Sequence, residues 1–222
     1  AIHDGSTGSD NGGNFSAIKA LVSGAYHKSL SSKGNHFLSL GFQGGLVQKG
    51  ISGEVRLPNQ WSEDTGYDPT IGGDNYQNNI TYIDFSMGIL WSTILNDDES
   101  SIFGGIATHH ITEPTETFFT TGGNRIHRRY VVHGGSRIVT SESFSIVPNF
   151  IFMQQSSAKE INIGSAFEYK LSNMNSSAIS LGGWYRFSDA FILTAGFEVQ
   201  NWTLGFSYDV NISDLQTVTN NM

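Results

Sequence analysis

Seven histidines, 20 acidic residues and many serines raise two kinds of chemistry: metal binding and hydrolysis. His109-His110, together with His127 and His133, invites a metal centre. Neighbouring residues on a strand point to opposite faces, so such a pair cannot easily chelate one ion. No Glu or Asp completes a recognised ligand spacing, and cysteine is absent, so no metal or cofactor is expected. A hydrolase would need a nucleophile beside a base. No Gly-x-Ser-x-Gly elbow occurs, and nothing singles out one Ser–His–Asp set. No catalytic residue is assigned. What remains is a polar set: Arg129, His133, Arg137, Glu168, Arg186, Glu198 and Asp209. Arg128, Arg129 and Arg137 are expected to pair with carboxylates such as Glu168, Glu198 or Asp209, filling the interior of a β structure.

The elements that must position these residues show themselves by period. Almost every ordered-looking stretch alternates with period two, which separates two faces of a strand. Ile83, Phe85, Met87, Ile89 and Trp91 share one face, against Tyr82, Asp84, Ser86 and Gly88. Tyr130, Val132 and Ile138 oppose Arg129, His133 and Arg137. Ile161, Ile163, Phe167 and Tyr169 oppose Asn162, Glu168 and Lys170. Phe191, Leu193, Ala195, Phe197 and Val199 oppose Thr194, Gly196 and Glu198. Six further stretches behave alike, the weakest near 102–111. That makes about ten strands of roughly 9–11 residues, the length of a tilted membrane-spanning strand. No 3.6-residue stripe competes, so the chain is expected to be all-β and antiparallel.

Composition agrees with a two-sided strand. Charged residues make up only 14% of the 222, hydrophobic residues 38%, and glycine numbers 26. A solvated β-sandwich surface would carry more Lys and Glu. The net charge of −8 disfavours nucleic acid, whose phosphates need a basic surface. The connections alternate too. The gaps at Ser29–Asn35, Leu95–Ser101, Val139–Ser143, Ser172–Ser177 and Gln200–Asn201 are short. The others include the long 49–80 and 112–128, with lesser members at 154–159 and 188–190. Short turns on one side and longer loops on the other mark outer-membrane barrels. Tyr26, Trp91, Tyr130, Tyr169, Phe187 and Trp202 fall at strand ends, where an interfacial girdle would lie. The five Asn-x-Ser/Thr sequons are read as chance in an Asn- and Ser-rich chain.

Loops as long as Gly50–Asn79 are usually functional or disordered. With Glu113–His127 it is the expected partner-contact surface, through Trp61, Tyr67, Tyr76, Phe118 and Phe119, aromatics of the kind that suit protein recognition.

Several motifs point further. Arg125-Ile-His-Arg-Arg-Tyr-Val-Val-His-Gly-Gly-Ser-Arg137 resembles a motif of the PorP/SprF family of the Bacteroidetes type IX secretion system. So do Phe37-Leu-Ser-Leu-Gly-Phe-Gln-Gly-Gly45, Asp84-Phe-Ser-Met-Gly88 and Lys159-Glu-Ile-Asn-Ile-Gly164. Gly183-Trp-Tyr-Arg-Phe-Ser-Asp-Ala190 and Leu204-Gly-Phe-Ser-Tyr-Asp-Val-Asn-Ile-Ser-Asp-Leu215 complete a resemblance that runs from about Ala17 to the end. It implies a transmembrane β-barrel of about 14 strands in the outer membrane. Residues 1–222 would then be one barrel domain lacking some N-terminal strands and the last C-terminal strand. The implied function is non-enzymatic: partnering or anchoring a secreted or surface-anchored cargo protein, among other secretion components and outer-membrane lipid. A porin-type diffusion channel is the alternative.

Overall fold

The computed structural model describes residues 2–6, 14–52, 60–63, 66–68, 77–95, 100–119, 123–171 and 177–213. Thirteen strands are formed among them. They are β1 (Ile2–Ser6), β2 (Asn14–Ser29), β3 (His36–Ser52), β4 (Trp61–Ser62), β5 (Gly66–Tyr67), β6 (Asn79–Leu95) and β7 (Ser100–His109). There follow β8 (Arg129–Ser141), β9 (Phe144–Gln155), β10 (Ala158–Lys170), β11 (Ser177–Arg186), β12 (Ala190–Val199) and β13 (Trp202–Asn211). No α-helix occurs among the described residues. Eleven strands form one antiparallel sheet in the order β1-β2-β3-β6-β7-β8-β9-β10-β11-β12-β13, while β4 and β5 make a separate two-stranded hairpin. The order is a plain meander, as short connections between antiparallel neighbours dictate.

The chain divides into two compact units. One holds residues 1–24, 42–87 and 109–128, which take in β1, the β3–β6 and β7–β8 connections and the adjoining parts of β2, β3 and β6. The other holds residues 25–41, 88–108 and 129–222.

Register shows the two faces directly. Ile163 pairs with Phe150 and Tyr185, Phe167 with Ile146 and Leu181, and Leu193 with Gly183 and Tyr208. The apolar sets therefore lie side by side from β8 to β13. Exposure follows the same alternation: in β6 Ile83, Phe85, Met87, Ile89 and Trp91 are exposed, and Tyr82, Asp84, Ser86 and Gly88 are half-buried. Only Val47, Ile80, Val131 and Ala190 are buried hydrophobics among the described residues. A water-soluble sandwich would turn the apolar face inward, where burial is worth about 25 cal/mol per Å². Here it is exposed, as on a barrel wall whose lipid takes the place of a core.

The strand-end aromatics sort into two belts within the second unit. Tyr26, Trp91, Tyr169 and Trp202 lie toward the short-turn ends of their strands, and Tyr130 and Phe187 at the opposite ends; all six are exposed. Tyr185 lies 4.8 Å, ring centre to ring centre, from both Phe187 and Phe191. Such grouping at strand ends fits amphipathic rings at a membrane–water boundary.

Three expectations need correction. β2, β3 and β6 run 16, 17 and 17 residues, well beyond the expected length. Their ladders continue past the last lipid-type residue into polar ends such as Gln48–Ser52, where alternation of hydrophobicity fades. The gap at 154–159 is only the two-residue turn Ser156-Ser157, with φ of 52° at Ser156. Loop asymmetry thus rests on the β3–β6 and β7–β8 connections alone. The short β1, paired with the start of β2, has no alternation that sequence inspection could detect.

Candidate functional site

The polar residues gather on the sheet face opposite the apolar one. Across β8–β13 the register places Arg129, His133, Arg137, Glu168, Arg186, Glu198 and Asp209 on that common face. Arg129 opposes Gln155, Glu168 opposes Ser145 and Ser180, Arg186 opposes Asn162 and Ala190, Glu198 opposes Ala178 and Thr203, and Asp209 opposes Ile192. Arg137 Nη2 meets Glu168 Oε2 at 2.5 Å, with both side chains part-exposed. A pair so exposed contributes about 1 kcal/mol or less; its effect is to neutralise charge on this face. Arg186 donates through Nε to Asp189 and through Nη2 to Asp209 Oδ2 at 3.3 Å. His133 tilts against Phe103, with ring centres 6.0 Å apart. The Nε of Arg129 is shielded and makes no hydrogen bond among the described residues.

Two sequence expectations differ from the geometry. Arg128 turns away from the sheet carboxylates to Glu113, 3.5 Å off, and donates to the Ile111 carbonyl at 3.1 Å. The adjacent histidines do not diverge. β7 ends at His109, and His110 takes a left-handed φ of 56°, which breaks the alternation. His109 Nδ1 lies 3.2 Å from Ser86 Oγ and His110 Nδ1 2.8 Å from Asp84 Oδ2, so both rings reach the polar residues of β6. These are two separate dyads, and among the described residues no group of three metal-ligating side chains assembles.

The loop aromatics separate into distinct environments. Trp61 opens the β4–β5 hairpin, paired in register with Tyr67, and is 65% exposed. The Asp68 N–H donates to the Gln60 carbonyl and closes the hairpin. Phe119 is 45% exposed. Phe118 is half-buried and meets Phe15 edge-on, 6.3 Å between ring centres. Tyr76 lies outside the described residues, as does the side chain of Tyr67.

A group that sequence inspection overlooked ties the β7–β8 connection to the sheet. Glu116 accepts from Lys49 Nζ through one carboxylate oxygen and from the Tyr82 hydroxyl, at 2.6 Å, through the other. Lys49 and Tyr82 stand on the polar parity of β3 and β6, at matching strand ends. That parity is a signal the sequence does contain; the loop residue completing the contact carries none. Burial works to raise the Glu116 carboxyl, but the Lys49 and Tyr82 hydrogen bonds and the Lys49 and Lys19 charges outweigh it and hold it below the ordinary carboxylate range. A depressed carboxyl stabilises the fold above the unfolded value of about 4.3, and that contribution is lost as pH falls through the lower folded value. Hydrogen exchange at the Glu116 and Gln77 amides, bonded to the Asn124 and Phe118 carbonyls, is the readout. Intrinsic-rate-corrected protection should hold from pH 7 to about 5 and decline below about 4; protection constant to pH 3 would remove Glu116 as the tie.

An all-β meander with an exposed apolar face, a charge-paired opposite face and aromatic belts defines a protein of the membrane β-barrel class. The family described as type IX secretion system membrane protein PorP/SprF matches residues 6–222. The chain belongs to that family. Neither the curated proteins nor the solved structures compared with it include a match.

Proposed function

We propose that this type IX secretion membrane protein is a non-enzymatic barrel of the outer membrane that holds a secreted or surface-anchored cargo protein. Cargo docks on the side of the β3–β6 and β7–β8 connections, and other secretion components meet the short-turn side. Family membership across residues 6–222 carries this reading. Crossing by strands agrees with an outer-membrane location, since bacterial barrels of this kind reside there. Trp61 and Phe119 supply what a docking surface needs: large aromatic side chains presented on connections rather than on the lipid face. Aromatics of this type dominate binding energy at interfaces.

Affinity purification from the native membrane in mild detergent, followed by mass spectrometry, tests the proposal. The wild-type barrel should bring down a surface protein and secretion components. Removing both rings, by Trp61→Ala with Phe119→Ala, should weaken cargo retention by about 30-fold, the equivalent of roughly 2 kcal/mol at a hot spot. Secretion components contacting the other side should be retained. Recovery of neither class by the wild type would sink the reading.

A further inference from the structure

The β7–β8 connection does not stand away from the sheet; beyond the end of β7 it runs on alongside β6. At its start the Ile111 N–H donates to the Phe85 carbonyl at 3.0 Å and Thr112 Oγ to the Ile83 carbonyl at 3.1 Å. In its middle Glu116 takes hydrogen bonds from Lys49 and Tyr82. Just beyond, the Gln77 N–H donates to the Phe118 carbonyl at 2.6 Å, and Phe118 rests on Phe15. The two arms also brace each other. Thr115 bridges Arg125, the Glu116 N–H donates to Asn124 at 2.8 Å, and the Ile126 N–H to Pro114 at 3.0 Å.

The side matters. Phe15, Lys49 and Tyr82 all occupy polar-face positions of β2, β3 and β6. A loop merely resting on the outside of a membrane wall would meet the apolar positions instead. Glu116 is thus drawn over the face that a barrel turns to its interior. Lys49 Nζ also sits 5.9 Å from the centre of the Phe15 ring, so the cation has a second, apolar support.

We propose that residues 111–119 and 123–126 of this connection form a strap fastened across the polar face, with Lys49–Glu116–Tyr82 as its catch. Fastened, it obstructs hydrophilic passage along that face; released, it opens the path. The inference rests on the membrane-barrel reading and is independent of which cargo the barrel holds.

Conductance of the full-length protein in planar bilayers tests it. The residues given contain no cysteine, so a pair introduced as Gln77→Cys with Phe118→Cys can act as a lock. A directly hydrogen-bonded backbone pair lies within the Cα separation that a disulfide spans. The wild type should conduct weakly. Glu116→Gln should raise conductance several-fold, because a path freed of its obstruction fills with water and conducts. Adding the cysteine pair to Glu116→Gln should return conductance to the wild-type level on oxidation and restore the increase on reduction. This comparison is made within one inserted protein, so a folding defect cannot imitate it. In an otherwise wild-type background the pair should oxidise without altering the current. A Glu116→Gln barrel that inserts, retains its partners and conducts like the wild type overturns the strap alone. So does a cysteine pair that does not oxidise. Absence of any channel in all variants, together with no recovery from the membrane, overturns the barrel reading and the strap with it.

Discussion

Leu181→Arg is expected to destabilise the membrane-embedded protein by about 2–4 kcal/mol, the cost of an arginine on the lipid face near the bilayer midplane. Leu181 lies mid-strand in β11, paired with Phe167 on β10 and Ala195 on β12, and is 60% exposed. The size of the effect discriminates between solvents. Were this face in water, replacing an exposed leucine would change stability by no more than about 0.5 kcal/mol, and the arginine would improve solubility. In lipid the guanidinium must shed water or drag it inward, and among the described residues no carboxylate stands within the apolar set of β10–β12 to pair with it. Ser207→Arg supplies the opposite case. Ser207 is on the polar parity of β13, opposite Thr194, and an added charge there should be nearly neutral. Denaturant midpoints in lipid vesicles, with the amount of folded protein reaching the membrane, measure both. Equal, small effects for the two would show that the apolar face is not against lipid.

That contrast depends on the part of the fold most legible in sequence. A strand with lipid on one side and a polar interior on the other has a different residue class at every second position. β6 and β8–β13 could therefore be assigned face by face, and Arg137, Glu168, Arg186 and Asp209 share a face by parity alone. Partner choice was not legible, because parity names a face and not a neighbour. Arg128 sits one residue outside β8 and so finds Glu113 of its own loop. Likewise Glu116 reaches two strands through contacts separated by 67 and 34 residues, and no local period encodes such a contact. His110 illustrates another limit. Its left-handed backbone is unusual for a residue other than glycine, and it redirects a side chain that alternation would send the other way. Pro148 shows the reverse. It sits inside β9, where it cannot donate to the ladder, and the β8–β9 pairing skips Ser136 and Arg137 opposite Val147 and Pro148. The run of apolar residues around it was strong enough to mark the strand regardless.

Glycine use on the two faces leads to a second large effect. Gly164 and Gly183 lie on the adjacent strands β10 and β11, one on each face of the sheet. A Cβ at Gly164 would strike the Gly183 carbonyl and come within 2.6 Å of the Trp184 ring, which covers the glycine on the polar face. A Cβ at Gly183 meets nothing within 4 Å. The same substitution, Gly→Val, should therefore act in opposite directions at neighbouring sites. Gly164→Val must push Trp184 aside and strain the β10–β11 ladder, for an overpacking cost of about 1–3 kcal/mol. Gly183→Val removes backbone freedom from the unfolded chain and puts a β-branched side chain on the lipid side, a gain of up to about 1 kcal/mol. Trp184 fluorescence separates overpacking from a general loss of strand propensity. Gly164→Val should shift the emission as the indole leaves its seat, whereas Gly183→Val should leave it unchanged. If Gly164→Val were as stable as the wild type with unaltered emission, Trp184 would not be seated on the glycine. The interior would then have room at this level that the close approach of ring and backbone denies it.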